Sequence, residues 1–325
     1  MDRPPFMPAI YDLKPVFIDA PLHTFGQDEG GLIRALSYEA EKLKMESLTV
    51  AYDIYNVEAE AAGCRISRDQ DIGMPEISAP LIQSFTEIKK LKVPGEISER
   101  MALFVNAAQK VQQKYGDILP VRAGISGPFS VAAKIAPQDD LLMDTILHPQ
   151  SVVELLKYTT QIVQLYAKSL QNTGAGIVVF DSFISPPMLS PEIYRDLVLP
   201  FHQKIFGLLK ENSILQRTLI AGGNTTEIIP DLVRSGATQL LLDYDVPLNE
   251  CKDIMKQYPG IVFRVNIPPA LFVDCDILPI KKYIHQLLNM LGDCRNLIVG
   301  TGILPPNAVP SFITKAKEII VDYYR

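Results

Sequence analysis

The chain has 325 residues, 47% of them hydrophobic, enough for one large domain or two ordinary ones and far from a disordered composition. A formal net charge of −6 argues against nucleic acid or an anionic membrane as the main partner. No apolar run approaches the ~18 residues of a membrane span, and the widely separated Cys64, Cys251, Cys275 and Cys294 read as reduced structural thiols.

The opening stretch, MDRPPFMPAIYDLK, has acids and prolines where a signal peptide would have a basic end and an apolar core, so a cytoplasmic location is expected. The first short apolar run is Phe6–Ile10. Helical spacing follows from Gly30 to Leu43, with Ile33, Leu36 and Leu43 on one face. A second run, Leu48–Tyr52, precedes a Pro- and Ser-rich stretch at 69–94 that reads as a loop-bearing insertion. Then come the run Val121–Ile125, a long helical pattern from Pro149 to Leu170, and the run Ile177–Phe180. The runs Arg217–Ile220, Gln239–Leu242, Ile261–Val265 and Leu297–Val299 complete the set. Each is followed by helical spacing, over Thr225–Ser235, Leu248–Gln257, Ile280–Leu291 and Asn307–Tyr324 respectively.

Eight short runs, apolar on both faces and alternating with helices, are the pattern of a buried parallel sheet. They predict a (β/α)8 TIM barrel spanning 1–325 as one domain. A doubly wound open sheet would announce a Gly-rich loop after its first strand, and the sequence has none there.

In such a barrel the functional residues sit where strands end. In order, those ends carry Tyr11 and Asp12, Asp53 and Tyr55, Ser126, Asp181 and Ser182, Gly222 to Thr225, Asp243 and Asp245, Asn266, and Thr301. A strand-end aspartate often caps the next helix instead. Asp181 also reads as a group orienting Ser182, and Asn224 with Thr225 as a helix cap given the T-x-E that follows. Asn266 precedes two prolines, which stiffen its backbone.

The segments YDIYNVEAEAAG (52–63), FDSFISPPMLSPEIYRDLVLP (180–200), GGNTTEIIPDLVRSGATQLLLDYDVPLNECK (222–252), FRVNIPPALF (263–272) and VGTGILPPNAVP (299–310) resemble the uroporphyrinogen decarboxylase superfamily, in family order. The resemblance implies the same barrel and two functional branches: the decarboxylase itself, and methyltransferases that work with methylated corrinoid proteins. It places Asp53 at the decarboxylase aspartate that collects pyrrole N–H groups, a task suited to a carboxylate. It also matches Ser182 to the family serine. The arginines that grip the substrate's carboxylates have no counterpart; the opening segment offers only Lys14. The family's last-strand histidine falls on Thr301, and its third-loop tyrosine on Lys134.

In the zinc-dependent methyltransferases the ligand positions correspond to Ile220, Gly222 and Thr301 here, so the resemblance implies no zinc site. The four histidines, His23, His148, His202 and His285, read as lying away from strand ends. A relocated metal site using Cys251 or Cys275 is the remaining route.

The expected pocket is therefore polar without metal: Asp53 and Ser182 as catalytic candidates, with Tyr11, Tyr55, Asp181, Asn224, Asp243, Asn266 and Thr301 as substrate contacts. Asp53 is the first candidate for an acid that activates a leaving group, since burial at a barrel mouth would raise its pKa. The chain lacks the DxHxxG segment of a corrinoid module, so any corrinoid would arrive on a separate protein. The leading expectation is a zinc-independent methyltransferase working with that partner. Decarboxylation of uroporphyrinogen or a smaller acid, and a non-catalytic tetrapyrrole- or corrinoid-binding barrel, are the alternatives. Dimers are usual among the family's decarboxylases, which makes a homodimer a candidate assembly. The apolar loop Phe183, Ile184, Pro186, Pro187, Met188 and Leu189 is read either as a contact face or as packing over the rim.

Overall fold

A computed structural model of the chain describes residues 3–69, 73–273 and 276–325. Eight strands form its central sheet: β1 Phe6–Ala9, β2 Leu48–Val50, β3 Val121–Ser126, β4 Gly176–Phe180, β5 Arg217–Ile220, β6 Gln239–Leu242, β7 Val262–Ile267 and β8 Leu297–Ile303. Every ladder is parallel, and the order β1-β8-β7-β6-β5-β4-β3-β2 is that of a (β/α)8 barrel. All eight predicted runs are strands, shifted at their ends by a few residues.

β1 and β2 end the hydrogen-bonded order, and Glu46 spans the seam between them. Its carboxylate accepts from the Phe6 amide at 2.6 Å and pairs with Arg3.

Alternation along the strands sorts two cores. Ala9, Tyr11, Ala51, Val178, Phe180, Ile220 and Leu241 form a small cluster inside the barrel. The much larger core, with Phe6, Leu48, Ile125, Val179, Leu219 and Val265, lies between sheet and helices.

The helices begin where their caps dictate. Asp28 accepts from the amides of Gly30 and Gly31 to start Glu29–Glu41, and Ser98 accepts from Met101 to start Glu99–Tyr115. Proline opens Pro128–Ile135, Pro149–Leu170 and Pro310–Tyr323. Pro149–Leu170 and Leu248–Gln257 match the periodicity end to end.

Four further helices escape a stripe-based reading: Glu99–Tyr115, Pro128–Ile135, Gln138–Leu147 and Leu199–Glu211. Pro128–Ile135 is buried almost all round, so it shows no apolar stripe. A π turn over Tyr194–Val198 breaks the 3.6-residue period ahead of Leu199–Glu211. The expected helix over Thr225–Ser235 opens as a 3-10 turn, Thr226–Ile228, before Ile229–Arg234.

The expected insertion at 69–94 is held by a two-residue antiparallel ribbon, Ile66–Ser67 with Glu76–Ile77, and carries a 3-10 segment, Phe85–Lys90. Residues 70–72 of that stretch lie outside the described residues. Among the described residues no helix is long and apolar enough to cross a membrane.

Candidate active site

The chain turns sharply after β2. Asp53 and Tyr55 both adopt left-handed backbone conformations, φ 54° and 77°, which non-glycine residues hold only when their surroundings fix them. The Asp53 side chain is what fixes the turn. It accepts from Arg100 Nη2 at 2.5 Å and from Asn56 Nδ2 at 2.5 Å, and Arg100 Nη1 reaches on to Glu60 at 3.1 Å. Arg68 joins Glu60 from the other side at 2.9 Å. Burial pushes the Asp53 carboxyl up, while Arg100 and Asn56 hold it back.

Asp12, at the end of β1, stands in a different position. It is half-buried, and no hydrogen bond or ion pair engages its carboxyl. Burial pushes its pKa up to about 6; nearby Lys14 opposes the shift and the Asp53 charge adds to it. Two interacting carboxyls with unequal environments are the arrangement that separates an acid from its conjugate stabiliser. The sequence reading placed Asp12 at a strand end and then passed over it in favour of Asp53. No signal in the sequence separates the two, since Lys14, two residues on from Asp12, is committed to Glu39 only in the folded chain.

Lys14 is completely buried and pairs with Glu39 at 3.0 Å, its ammonium lying 5.3 Å from the Tyr11 ring centre. It therefore offers nothing to a substrate carboxylate. Tyr11 itself is a core residue: it is 2% exposed and packs edge-on against Phe180, with ring centres 5.2 Å apart, inside the barrel.

The end of β3 is tied to the turn through Glu58. This fully enclosed carboxyl accepts from the Ser126 amide and hydroxyl, each at 2.6 Å, and Ser126 Oγ in turn accepts from Tyr55 N at 3.1 Å. Burial pushes Glu58 up.

At the end of β4 two adjacent residues part company. Asp181 follows the inward-facing Phe180 and so faces the helix layer, where it is fully buried. It accepts from Ser130 N at 2.7 Å, Ser130 Oγ at 2.6 Å, Phe129 N at 3.3 Å and His202 Nε2 at 2.8 Å. His202 Nδ1 shares a 3.0 Å hydrogen bond with the Tyr194 hydroxyl on the π turn. Asp181 thus anchors a helix N-terminus and has no face left for a substrate. His202, expected away from strand ends, closes over one from its helix.

Ser182 is half-buried at the mouth. Its amide donates to the Tyr55 hydroxyl at 3.4 Å, and burial pushes that phenol up to about 12. Of the apolar loop that follows, Ile184 and Leu189 are buried in the rim, while Met188 is 46% exposed.

The remaining strand ends supply a linked pair. Asp243 accepts from the amides of Gly223 and Tyr244 at 3.0 Å and from Asn266 Nδ2 at 2.9 Å. Asn266 Oδ1 is buried without a partner, an acceptor available to a ligand donor. A side-chain carbon built on Gly222 would lie 3.4 Å from Asp243 Oδ2 and 3.7 Å from Ser182 Oγ, so the bare glycine opens a space between them.

Two predicted contacts fall elsewhere. Asn224 is exposed and caps the next turn, accepting from Thr226 N and Oγ1 at 3.1 and 2.7 Å. Thr301 is fully buried, its hydroxyl accepting from Ala9 N at 3.0 Å to stitch β8 to β1.

Asp12, Asp53, Tyr55, Ser182, Asp243 and Asn266 therefore carry the mouth. Among the described residues, no three His, Cys, Asp or Glu side chains are grouped to hold a metal ion. Cys251 is buried with its thiol pushed up to about 12, and Cys275 lies outside the described residues.

The family described as uroporphyrinogen decarboxylase (URO-D) matches residues 33–310. A methylated-thiol–coenzyme M methyltransferase of Methanosarcina mazei is 27% identical, aligned over 84% of this chain and 69% of its own length. A methylcobamide:CoM methyltransferase of Methanosarcina acetivorans is also 27% identical, over 64% of this chain and 61% of its own. A uroporphyrinogen decarboxylase of Prochlorococcus marinus is 22% identical, over 71% and 66%. The chain thus spans about two thirds of the length of these relatives.

Among solved structures, a methyltransferase from Methanosarcina mazei superposes with a TM-score of 0.86 at 18% identity, covering 100% of this chain and 95% of that one. A B12-independent methionine synthase from Shewanella reaches 0.62 at 14% identity, covering 98% and 96%. Both are likenesses of fold.

Proposed function

Because the chain belongs to the uroporphyrinogen decarboxylase family, we propose that it is a methyltransferase that works with a separate corrinoid protein and without zinc, using Asp12 as its acid. The observation that carries this reading is the carboxyl pair at the mouth. Among the described residues no hydrogen bond or ion pair engages Asp12, whose carboxyl burial pushes up to about 6, while Asp53 is clamped by Arg100 and Asn56.

The partner's corrinoid would supply or receive the methyl group. This chain's part is to bind the small substrate and move a proton. Where the corrinoid would receive the methyl group, protonated Asp12 donates its proton to the leaving heteroatom. Where the corrinoid would supply it, the Asp12 carboxylate takes the proton released by the acceptor, and the Asp53–Arg100 pair limits the charge that develops beside it. Asn266 Oδ1 and Ser182 orient the substrate by hydrogen bonds, with Asp243 fixing the amide's direction.

The donor set does not fit zinc. Ile220 is part of the barrel's apolar interior, Gly222 has no side chain, and the Thr301 hydroxyl is engaged by Ala9.

A polycarboxylate substrate is disfavoured by charge. The three cations around the acid pair, Lys14, Arg68 and Arg100, are each ion-paired within the chain. Two of the three relatives reported above carry methyltransferase names, in keeping with methyl transfer as the reaction class, and the third is named as a decarboxylase.

The test is a visible-spectrum titration of metal-stripped protein with methylcobalamin, free and bound to a corrinoid protein, followed by addition of a thiol acceptor. Saturable binding with demethylation, reduced about 100-fold in Asp12→Asn, is the expected result. Demethylation that requires added zinc, or no spectral change with either form, overturns the proposal.

A further inference from the structure

The floor of the barrel presents a second polar cluster that the mouth chemistry does not use. Two arginines, Arg122 on β3 and Arg264 on β7, are each only 3% exposed. Both face inward. Gly124, two residues after Arg122, has its missing side chain directed at Ala51 and Phe180 in the interior, and alternation carries Arg122 to the same side. A carbon on Gly300 would lie 2.6 Å from Arg264 Cδ and 2.7 Å from Asn266 Oδ1, which puts the Arg264 stem across the lumen.

In the strand order β3 and β7 are four steps apart, on opposite walls. Their charges act on each other across that gap: burial, opposed by Tyr11 and reinforced by the Arg264 charge, lowers Arg122 to about 10.

No ion pair among the described residues involves either guanidinium. Arg122 donates only to hydroxyls, Thr49 Oγ1 at 2.9 Å and Ser47 Oγ at 3.5 Å. Among the described residues no hydrogen bond is made by the Arg264 side chain. Both Nε atoms and the neighbouring Gln239 Nε2 are buried donors without an acceptor. Gln239 also faces inward, two residues before the interior Leu241, and its carbonyl oxygen accepts from Thr218.

A buried charge without a counter-charge is among the costliest features a fold can hold, and buried donors are normally satisfied. Here two such charges and three orphan donors face the inside of the barrel, and among the described residues no carboxylate pairs with them. The mouth acids are engaged at the other end of the strands.

We infer that the barrel floor is a binding site for a small inorganic anion, held between Arg122 and Arg264 with Gln239 as a third donor. A halide or a phosphate satisfies the same chemistry, because both accept several N–H bonds and neutralise paired guanidiniums. The site is independent of the acid pair and of the methyltransferase reading.

Thermal unfolding of the full chain at constant ionic strength tests it, comparing sodium chloride, sodium phosphate and sodium gluconate as the supporting salt. The wild-type midpoint should rise by about 3 °C in the salt of the bound anion relative to gluconate. The response to chloride against phosphate identifies which anion is held. In Arg122→Met/Arg264→Met that difference should vanish, since methionine fills the volume without the charge. An identical salt response in wild type and the double variant overturns the inference. If the double variant does not fold, crystals of the wild-type chain soaked separately in bromide and in arsenate, stand-ins for a halide and for phosphate, provide the second measurement. An anomalous peak between the two guanidiniums in either soak supports the site, and an empty floor in both overturns it.

Discussion

The two ends of the barrel bury charge in opposite ways. At the mouth, Asp53, Arg100, Glu60 and Arg68 form one connected network, and Asp243 is saturated by two amides and Asn266. At the floor, Arg122 and Arg264 lie in the lumen without a single carboxylate. The difference shows that burial alone does not mark a functional group. At the mouth the informative residue is the one left out of the network, Asp12, because a free carboxyl near a fixed one can exchange a proton at neutral pH. At the floor the informative feature is that, among the described residues, no carboxylate pairs with either guanidinium and both Nε atoms lack an acceptor.

The contrast breaks most severely at Arg100. Replacing it with methionine leaves Asp53 buried without its cation, while Glu60 keeps Arg68, so Arg100→Met should lower the unfolding free energy by about 3–5 kcal/mol in urea titration. Adding Asp53→Asn should restore part of that loss; a double variant no more stable than the single would show that the pair is not coupled.

Next in size is Asp12→Asn. With the thiol acceptor its kcat should fall about 100-fold, and the wild-type rise in activity as pH rises through about 6 should flatten. The sign for stability is opposite. Because the folded pKa lies above the unfolded value, the charged form is disfavoured in the fold. Stability is lost as pH rises from the unfolded value through about 6, so the amide should be more stable than wild type above pH 6, by roughly 1–2 kcal/mol.

A smaller effect tests the geometry between the ends. Gly300 lies under both Arg264 and Asn266, where a new carbon would sit only 2.6 Å from Arg264 Cδ and 2.7 Å from Asn266 Oδ1. Gly300→Ala should destabilise by about 1–3 kcal/mol and raise KM more than it lowers kcat, by tilting Asn266. The smallest change is Asn224→Ala, which removes a solvent-exposed turn cap and should cost about 0.5–1 kcal/mol with unaltered kinetics. A kinetic effect there would return Asn224 to the site.

The strands were legible from sequence because each is a short run, apolar on both faces, between turn residues, and eight such runs leave few architectures open. Asp53, Ser182, Asp243 and Asn266 could be read as mouth residues from their place after those runs. What the sequence by itself did not determine is which way each strand-end residue points and whom it meets. Asp181 and Ser182 are neighbours in the chain, yet pleating sends one to a buried histidine and the other to the mouth. Arg100 lies 47 residues from Asp53, His202 lies 21 from Asp181, and Lys14 is withdrawn to Glu39, pairings that only barrel closure brings about. The sequence determined the fold through local pattern; tertiary structure decided the chemistry, because a carboxyl's proton affinity depends on burial and on partners that are distant along the chain.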